Sequence, residues 1–335
     1  MSDDPVDPPL AGLPAPREAD RVVGHEKTRR SIERAWQQER LHHALLLTGP
    51  SGIGKATLGY AAAKMVVGTQ PKLEKGFMTT ASRQIAGGAS QQFRRLARSV
   101  AKDGKVRTAI SVDDVRTIEP FLRQRAEKGT WRVVLIDAVD DLNASSANAL
   151  LKLLEEPGAR TLFLLVAHNE GAVLPTIRSR CALMRMQGLS DNEVRIVLDG
   201  SELTKKEIEA ALPKAEGSVR RAIVLATSGG AEALERLDRL LARPQWSAAE
   251  AHDLADIAGA RDGEPIYREI ANGLPAWLGN RARSEARAGQ LGKASFLSNA
   301  ASELTAKLAL EDEYGVDRRL SVRAALDDAH HAVNG

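Results

Sequence analysis

Residues 49–56 form a glycine-rich run that ends in a lysine and an alanine, Gly-Pro-Ser-Gly-Ile-Gly-Lys-Ala. Backbone N–H groups in such a run can surround a phosphate, and the lysine ammonium can reach the outer phosphates of a nucleotide. A serine or threonine that ligates Mg²⁺ normally follows the lysine, but Ala56 stands there. Thr57 cannot replace it, because one step along a helix turns a side chain by about 100°. The predicted phosphate cradle comprises Gly49, Gly52, Gly54 and Lys55.

An acid at the end of a buried strand is the second element that a nucleotide site needs. Residues 132–137, Arg-Val-Val-Leu-Ile-Asp, form such a strand, and Asp137 has the position that holds the Mg²⁺ ion with its water. A glutamate that polarises the attacking water should come next, but Ala138 does. Asp140 lies two residues later, where we expect a solvated loop acid. Since the loss of a metal ligand or of a water-polarising group usually lowers the rate by orders of magnitude, we expect little or no ATP hydrolysis by this chain.

The elements around these residues predict a parallel sheet. Residues 44–48 are an apolar run typical of a strand buried on both faces, and residues 56–67 form an alanine-rich helix. Residues 132–137 and 161–167 are two further apolar strands. Strands that alternate with helices indicate right-handed crossovers, with ligands bound at the carboxyl ends of the strands.

The strand pattern stops near residue 188, and only helical patterns follow. A chain of 335 residues exceeds one typical domain, so two or three domains are expected. We predict a disordered, acidic and proline-rich tail at 1–20 and an α/β domain at 21–188. Two helical domains are predicted to follow, at 189–243 and 244–335.

The composition excludes several classes of protein. A formal net charge of +3 is too small to indicate a partner, and a single cysteine excludes both an internal disulfide and a multi-cysteine zinc site. No apolar stretch approaches the roughly 20 residues of a membrane span, and no secretion signal is recognisable. Basic residues cluster between residues 83 and 107, where a contact with a DNA backbone is conceivable and a solvated helix face is favoured.

Two longer motifs follow the predicted strand that ends at Asp137. Residues 148–157 read Asn-Ala-Leu-Leu-Lys-Leu-Leu-Glu-Glu-Pro, and residues 174–181 read Leu-Pro-Thr-Ile-Arg-Ser-Arg-Cys. With the P-loop before them and residues 217–222 after them, they resemble the clamp-loader group of AAA+ proteins and, within it, the delta-prime type of bacterial DNA polymerase III. The resemblance implies a RecA-like α/β P-loop domain, a small helical lid domain and an all-helical C-terminal collar domain.

Within that group, the missing side chains favour a structural subunit over a motor. The gamma/tau motor type has the same fold but keeps the hydroxyl residue after the lysine and the Asp-Glu pair, whereas this chain has Ala56 and Ala138. An active motor ATPase of the gamma/tau type is the first alternative. A P-loop kinase is the second, and it would need a substrate lid and an acceptor site that nothing after residue 188 provides.

The resemblance also implies roles for single residues. Arg180 would reach across a subunit boundary to the γ-phosphate of a neighbour's ATP, where a guanidinium neutralises charge that develops in phosphoryl transfer. The alternative is an ion pair within its own domain. Arg220 would sense nucleotide from the lid or merely bridge the domains, and His168 or Asn169 would sense the γ-phosphate or cap a loop. Cys181 is not expected to be a nucleophile, because no base stands near it in sequence.

The implied partners are the gamma/tau motor subunits and the delta subunit of a hetero-pentamer. Through that complex, the sliding clamp and primer–template DNA would be partners too. The implied location is the cytoplasm, at the replisome on the nucleoid. No cofactor is required, and whether ATP, ADP or phosphate binds without hydrolysis stays open. Relatives often carry a four-cysteine zinc module after the P-loop helix, but residues 68–91 contain no cysteine, so neither zinc nor another metal site is expected.

Overall fold

The computed structural model describes residues 12–99, 107, 109–123, 129–227, 229–243, 246–261 and 263–334. The chain divides into two compact units. The first comprises Met1–Glu202 with Ala215–Arg221, and the second comprises Leu203–Lys214 with Ala222–Gly335. The domain boundaries predicted at residues 188 and 243 stay predictions. The predicted tail at 1–20 lies outside the described residues as far as residue 11.

A parallel sheet forms the centre of the first unit. Its strands are β1 Ala44–Thr48, β2 Phe93–Leu96, β3 Arg132–Asp137, β4 Thr161–Ala167 and β5 Ala182–Arg185. They pair in the spatial order β2-β3-β4-β1-β5, and every pairing is parallel. In this register, Leu46 of β1 lies opposite Leu165 of β4 and Leu183 of β5. The predicted α/β P-loop fold with a parallel sheet is confirmed.

The sequence patterns predict β1, β3 and β4 but miss both edge strands. β2 carries Arg94 and Arg95 at its centre, and β5 is four residues long. The helix face expected in the basic segment 83–107 is therefore wrong for these two arginines, which lie on a strand. Residues 100–106 and 108 of that region lie outside the described residues.

Helices cover both faces of the sheet, which explains why the central strands are continuously apolar. Every residue of β1 and β4 is buried. Because neighbouring strand residues point to opposite faces, Leu45 packs in one core layer with Leu58, and Leu46 packs in the other with Leu150. A fully buried leucine contributes roughly 1.5–3 kcal/mol, so β1 is a firm base for the loop that follows it.

The helices are numbered in chain order through both units. They are α1 Glu26–Gln37, α2 Lys55–Val67, α3 Leu73–Gly76, α4 Thr80–Ala86, α5 Val112–Arg116, α6 Ile118–Arg123, α7 Ala144–Glu155, α8 Pro175–Arg178, α9 Asp191–Leu198, α10 Lys205–Ala215, α11 Val219–Thr227, α12 Gly230–Ala242, α13 Ala248–Gly259, α14 Glu264–Arg287, α15 Leu291–Glu313 and α16 Arg318–Asn334. Short 3₁₀ turns at Val139–Asp141 and Glu170–Ala172 follow β3 and β4.

The second unit is helical throughout the part that the structure describes, in agreement with the helical C-terminal region predicted from the sequence. Its two longest helices, α14 and α15, pack against each other and against α16. Two ion pairs add to this packing. Arg318 Nη2 lies 3.0 Å from Glu264 Oε2, and Lys307 Nζ lies 2.6 Å from Asp328 Oδ2. Within the described ranges, every helix is too short or too polar to cross a membrane.

Candidate functional site

The glycine-rich loop at residues 49–56 joins the buried strand β1 to helix α2, as predicted. Gly49, Gly52 and Gly54 have backbone φ angles of 149°, 76° and 97°, a region that favours glycine. A Cβ atom on Gly49 would lie 2.3 Å from the backbone oxygen of Met186. Since the first N–H groups of a helix have no partner within it, the loop and the start of α2 have the geometry of an anion cradle.

Lys55, the first residue of α2, is buried against the loop and is only 3% exposed. Its ammonium donates a hydrogen bond of 2.6 Å to the carbonyl oxygen of Gly49 and another to that of Pro50. Desolvation lowers the pKa of Lys55 to about 8, and the carboxylates of Asp137 and Asp140 offset part of that effect. An anion in the cradle would stabilise the charged ammonium.

The segment that carries Arg220 packs on the glycine-rich loop within the first unit. The Val219 amide donates to the Gly52 carbonyl oxygen at 3.0 Å. A Cβ atom on Gly52 would lie 2.3 Å from Ser218 Oγ and 2.6 Å from Arg220 Cβ. Arg220 therefore lies beside the loop, and its role as a nucleotide sensor stays a prediction.

Asp137, at the end of β3, is paired with an arginine. Arg95 Nη2 lies 3.5 Å from Asp137 Oδ2, and the two side chains are 17% and 18% exposed. In the sheet register Arg95 of β2 lies opposite Leu135, so its side chain extends toward the carboxyl end of β3. The acid at the predicted metal position thus already has a cationic partner.

Asp140 joins the turns that follow β3 and β4. Its carboxylate accepts hydrogen bonds from the backbone amides of His168 at 2.7 Å and Asn169 at 2.8 Å. Asp140 is half-buried, so it is a loop acid as expected but is only partly solvated. The sequence gives no sign of these contacts, because the partner amides are 28 and 29 residues away.

His168 and Asn169, the two sensor candidates, lie at the end of β4. The Asn169 side-chain oxygen accepts a hydrogen bond of 2.9 Å from the Gly171 amide and so caps the loop. Desolvation lowers the pKa of His168, and the Lys55 ammonium adds to this lowering. The His168 ring therefore belongs to the electrostatic surroundings of the cradle, and a sensing role stays a prediction.

The side-chain donors at this edge of the sheet do not fit a Mg²⁺ ion, which requires hard oxygen ligands in octahedral geometry. Ala56 and Ala138 offer no side-chain oxygen. Asp137 is paired with Arg95, and Asp140 is engaged by backbone amides. Among the described residues, no group of three or more histidine, cysteine, aspartate or glutamate side chains could hold a metal ion.

Arg180 lies between α8 and the edge strand β5, and it is not among the residues named above that contact the glycine-rich loop. Its Nη2 forms an ion pair of 2.7 Å with Glu155 Oε1, and its Nη1 donates to the Thr176 carbonyl oxygen at 2.9 Å. The Arg180 side chain is 37% exposed and the Glu155 side chain is 49% exposed. The arginine therefore has a partner in its own unit, but that partnership faces solvent.

Cys181 follows Arg180 and is half-buried against the core. Burial raises the pKa of its thiol to about 11. Since the thiolate is the nucleophilic form, this environment argues against a catalytic cysteine.

Comparison with known proteins shows which family the chain resembles. A family model described as "DNA polymerase III, delta subunit" matches residues 24–190, which is about half of the chain. The DNA polymerase III subunit delta' of Pseudomonas aeruginosa is 36% identical over 140 residues, which are 42% of this chain and 41% of that protein. The chain belongs to the delta-prime family of DNA polymerase III subunits.

A DNA polymerase III gamma subunit is similar to this delta-prime family member as well. The DNA polymerase III subunit gamma of Buchnera aphidicola subsp. Schizaphis graminum is 28% identical over 222 residues, 63% of this chain and 58% of that protein. The crystal structure of a DNA polymerase III gamma subunit-related protein from Thermotoga maritima has a TM-score of 0.42 and 17% identity, and covers 91% of this chain and 99% of that chain. The matches cover 41% of the Pseudomonas aeruginosa delta' subunit and 58% of the Buchnera aphidicola gamma subunit, so the chain spans less than two thirds of the length of each.

Two residues of this delta-prime site are missed by sequence reasoning. Arg95 gives no signal, because an arginine in a polar strand resembles any surface residue. His25 adopts a left-handed conformation, with a φ angle of 53°, just before α1, and its Nε2–H donates to the Ile53 carbonyl oxygen at 2.7 Å. Burial lowers the pKa of His25. The neighbouring Gly24, with a φ angle of 70°, is the signal that could have marked this turn.

Proposed function

We propose that the chain is a structural subunit of a DNA polymerase III clamp loader. It hydrolyses no ATP itself and presents Arg180 to the ATP of a neighbouring motor subunit. The observation that carries this proposal is the make-up of the P-loop site. The cradle around Lys55 is complete, whereas the hydroxyl expected at Ala56 and the glutamate expected at Ala138 are missing.

The surroundings of Arg180 support the second half of the proposal. A solvent-facing ion pair such as that with Glu155 is worth about 0–1 kcal/mol. A guanidinium on a phosphate at a subunit boundary gains considerably more. Exchange of Glu155 for a neighbour's γ-phosphate is therefore favourable once a subunit docks. The chain just before Arg180, from Leu174 to Thr176, is exposed and leaves room for such a neighbour.

The proposed partners are the gamma/tau motor subunits and the delta subunit, with which the chain would form a hetero-pentamer through its C-terminal helices. The complex would place the sliding clamp on primer–template DNA in the cytoplasm, at the replisome. The family membership and the similarity to a gamma subunit support this assignment.

The cradle itself is proposed to hold ATP, ADP or phosphate without hydrolysis. The Lys55 ammonium donates hydrogen bonds to the carbonyl oxygens of Gly49 and Pro50, and desolvation lowers its pKa to about 8; both observations support binding of an anion. Zinc has no role in this proposal, since residues 68–91 contain no cysteine.

Two experiments on the purified chain test the proposal. On size-exclusion chromatography with gamma/tau and delta subunits, the chain should elute in a stable complex; elution as a free monomer would contradict the assignment. Alone, it should show no steady-state ATPase above background. Lys55→Ala is the matched control, because turnover that disappears in this variant would come from the P-loop and would overturn the absence of hydrolysis.

A further inference from the structure

The ion pair between Arg95 and Asp137 lies where a P-loop protein holds its metal ion. Asp137 ends the strand β3, at the edge of the sheet where the P-loop also lies, and its carboxylate acts on the pKa of Lys55. Arg95 Nη2 is 3.5 Å from that carboxylate. An arginine guanidinium keeps its positive charge at any pH that a protein survives, so this cation cannot be titrated away.

The burial of Arg95 indicates that the pair is not a loose surface contact. Both side chains are more than four fifths buried. Arg95 Nε is moreover one of the buried side-chain atoms in the described part of the chain that have no hydrogen-bond partner. Burial of an unmet donor on a charged group is unfavourable, and the Asp137 carboxylate is the nearby charge that offsets it. Arg95 is therefore held at Asp137 in the folded state.

The nearby arginine Arg98 provides a contrast. It pairs with Asp141 at 3.2 Å, but its side chain is 38% exposed. Among the described residues, two arginine–aspartate pairs thus join the β2 region to β3 and the turn after it. Of these two pairs, that of Arg95 involves the acid at the metal position.

We propose that Arg95 is a built-in cation that replaces the metal ion of this P-loop. Its guanidinium neutralises Asp137 and excludes a divalent cation from that carboxylate. This inference rests on the proposed function, since it assumes a nucleotide-type site that has lost hydrolysis. It gives a further reason for the loss of ATP hydrolysis, besides the missing side chains at Ala56 and Ala138. The guanidinium of Arg95 occupies the position of the metal ion.

Mn²⁺ binding to the full chain tests the proposal, with free Mn²⁺ measured by electron paramagnetic resonance. Arg95→Gln removes the charge but keeps most of the side-chain volume, and it should bind Mn²⁺ at least tenfold more tightly than the unchanged protein, because Asp137 is left without a cation. Arg98→Gln, which frees Asp141 instead, is the matched control and should not gain this site. Adding Asp137→Asn to Arg95→Gln should abolish the gain.

Two results would overturn the proposal. One is an Arg95→Gln variant that folds, as judged by circular dichroism, and binds no more Mn²⁺ than the unchanged protein. The other needs no variant: tight Mn²⁺ binding by the unchanged chain that Asp137→Asn abolishes. Either result leaves the proposed clamp-loader function intact, because that function is tested by complex formation and by ATPase, not by metal binding.

Discussion

Lys55 gives the stability of this protein a pH dependence whose sign and size follow from the structure. Its pKa falls from 10.5 to about 8 on folding, chiefly through desolvation. Below pH 8 Lys55 is protonated in both the folded and the unfolded chain. The folded state is then destabilised by the full free energy of desolvating the charged ammonium. Between pH 8 and 10.5 the unfolded chain binds the proton that the folded chain has released, so stability rises with pH.

The magnitude follows from the shift. A difference of about 2.5 pKa units corresponds to about 3 kcal/mol in total, of which about 2 kcal/mol is recovered between pH 7 and pH 9.5. Lys55→Met removes the titrating group but keeps a flexible apolar side chain. The free energy of unfolding of the unchanged protein, minus that of Lys55→Met, should therefore increase by about 2 kcal/mol over this range.

Urea unfolding followed by circular dichroism at several pH values measures this difference. Lys27→Met, which removes an exposed lysine from α1, is the matched control for the loss of one positive charge. Saturating phosphate should flatten the profile, because a bound anion stabilises the ammonium. A difference that stays level or falls between pH 7 and pH 9.5 would refute the reasoning that Lys55 is a desolvated cation.

Three further predictions concern the loop and the arginine segment. Gly52→Ala should lower the free energy of unfolding by about 1–3 kcal/mol in urea titrations, because the φ angle of 76° is strained for alanine and its Cβ would meet Ser218 Oγ at 2.3 Å. Glu155→Gln should change that free energy by about 1 kcal/mol or less, because its pair with Arg180 faces solvent. Cys181 should react with a maleimide at pH 7.5 far more slowly in the folded protein than in urea, because burial raises its pKa to about 11.

Each of the three has a clear opposite. A Gly52→Ala variant as stable as the unchanged protein would mean that the segment 218–220 does not pack on the loop. A large loss of stability in Glu155→Gln would mean that the ion pair between Glu155 and Arg180 stabilises the fold. That result would weaken the proposal that Arg180 leaves Glu155 for the phosphate of a neighbouring subunit. Equal labelling of Cys181 in folded and unfolded chains would contradict its burial.

The P-loop and the central strands could be predicted from the sequence because their signals are local. The run 44–48 is apolar since both faces of β1 are covered, and the glycines of the loop stand where a positive φ angle or a close approach requires them. The same logic predicts Asp137, the polar end of a buried strand. In each case a few consecutive residues carry the whole signal.

The contacts that define the electrostatics of the site could not be predicted, because they join residues far apart in sequence. Arg95 meets Asp137 only since β2 and β3 are neighbours in the sheet. Asp140 meets the amides after β4 because β3 and β4 are also neighbours in the sheet. Lys64, in the apolar helix α2, is likewise buried, and its ammonium donates a hydrogen bond of 2.9 Å to the carbonyl oxygen of Ala19, which is 45 residues away.

Arg180 is proposed to act on the ATP of another subunit. The most direct test of this role is the DNA-stimulated ATPase and clamp-loading rate of a complex reconstituted with Arg180→Ala. Arg178→Ala is the matched control, since Arg178 lies in the same segment and donates to the Glu170 carbonyl oxygen at 3.4 Å. We expect the Arg180→Ala complex to assemble normally while its ATPase falls and clamp loading drops by roughly tenfold or more. The Arg178→Ala complex should stay close to the unchanged complex. An assembled Arg180→Ala complex with unchanged ATPase and clamp loading would contradict the proposed role of Arg180.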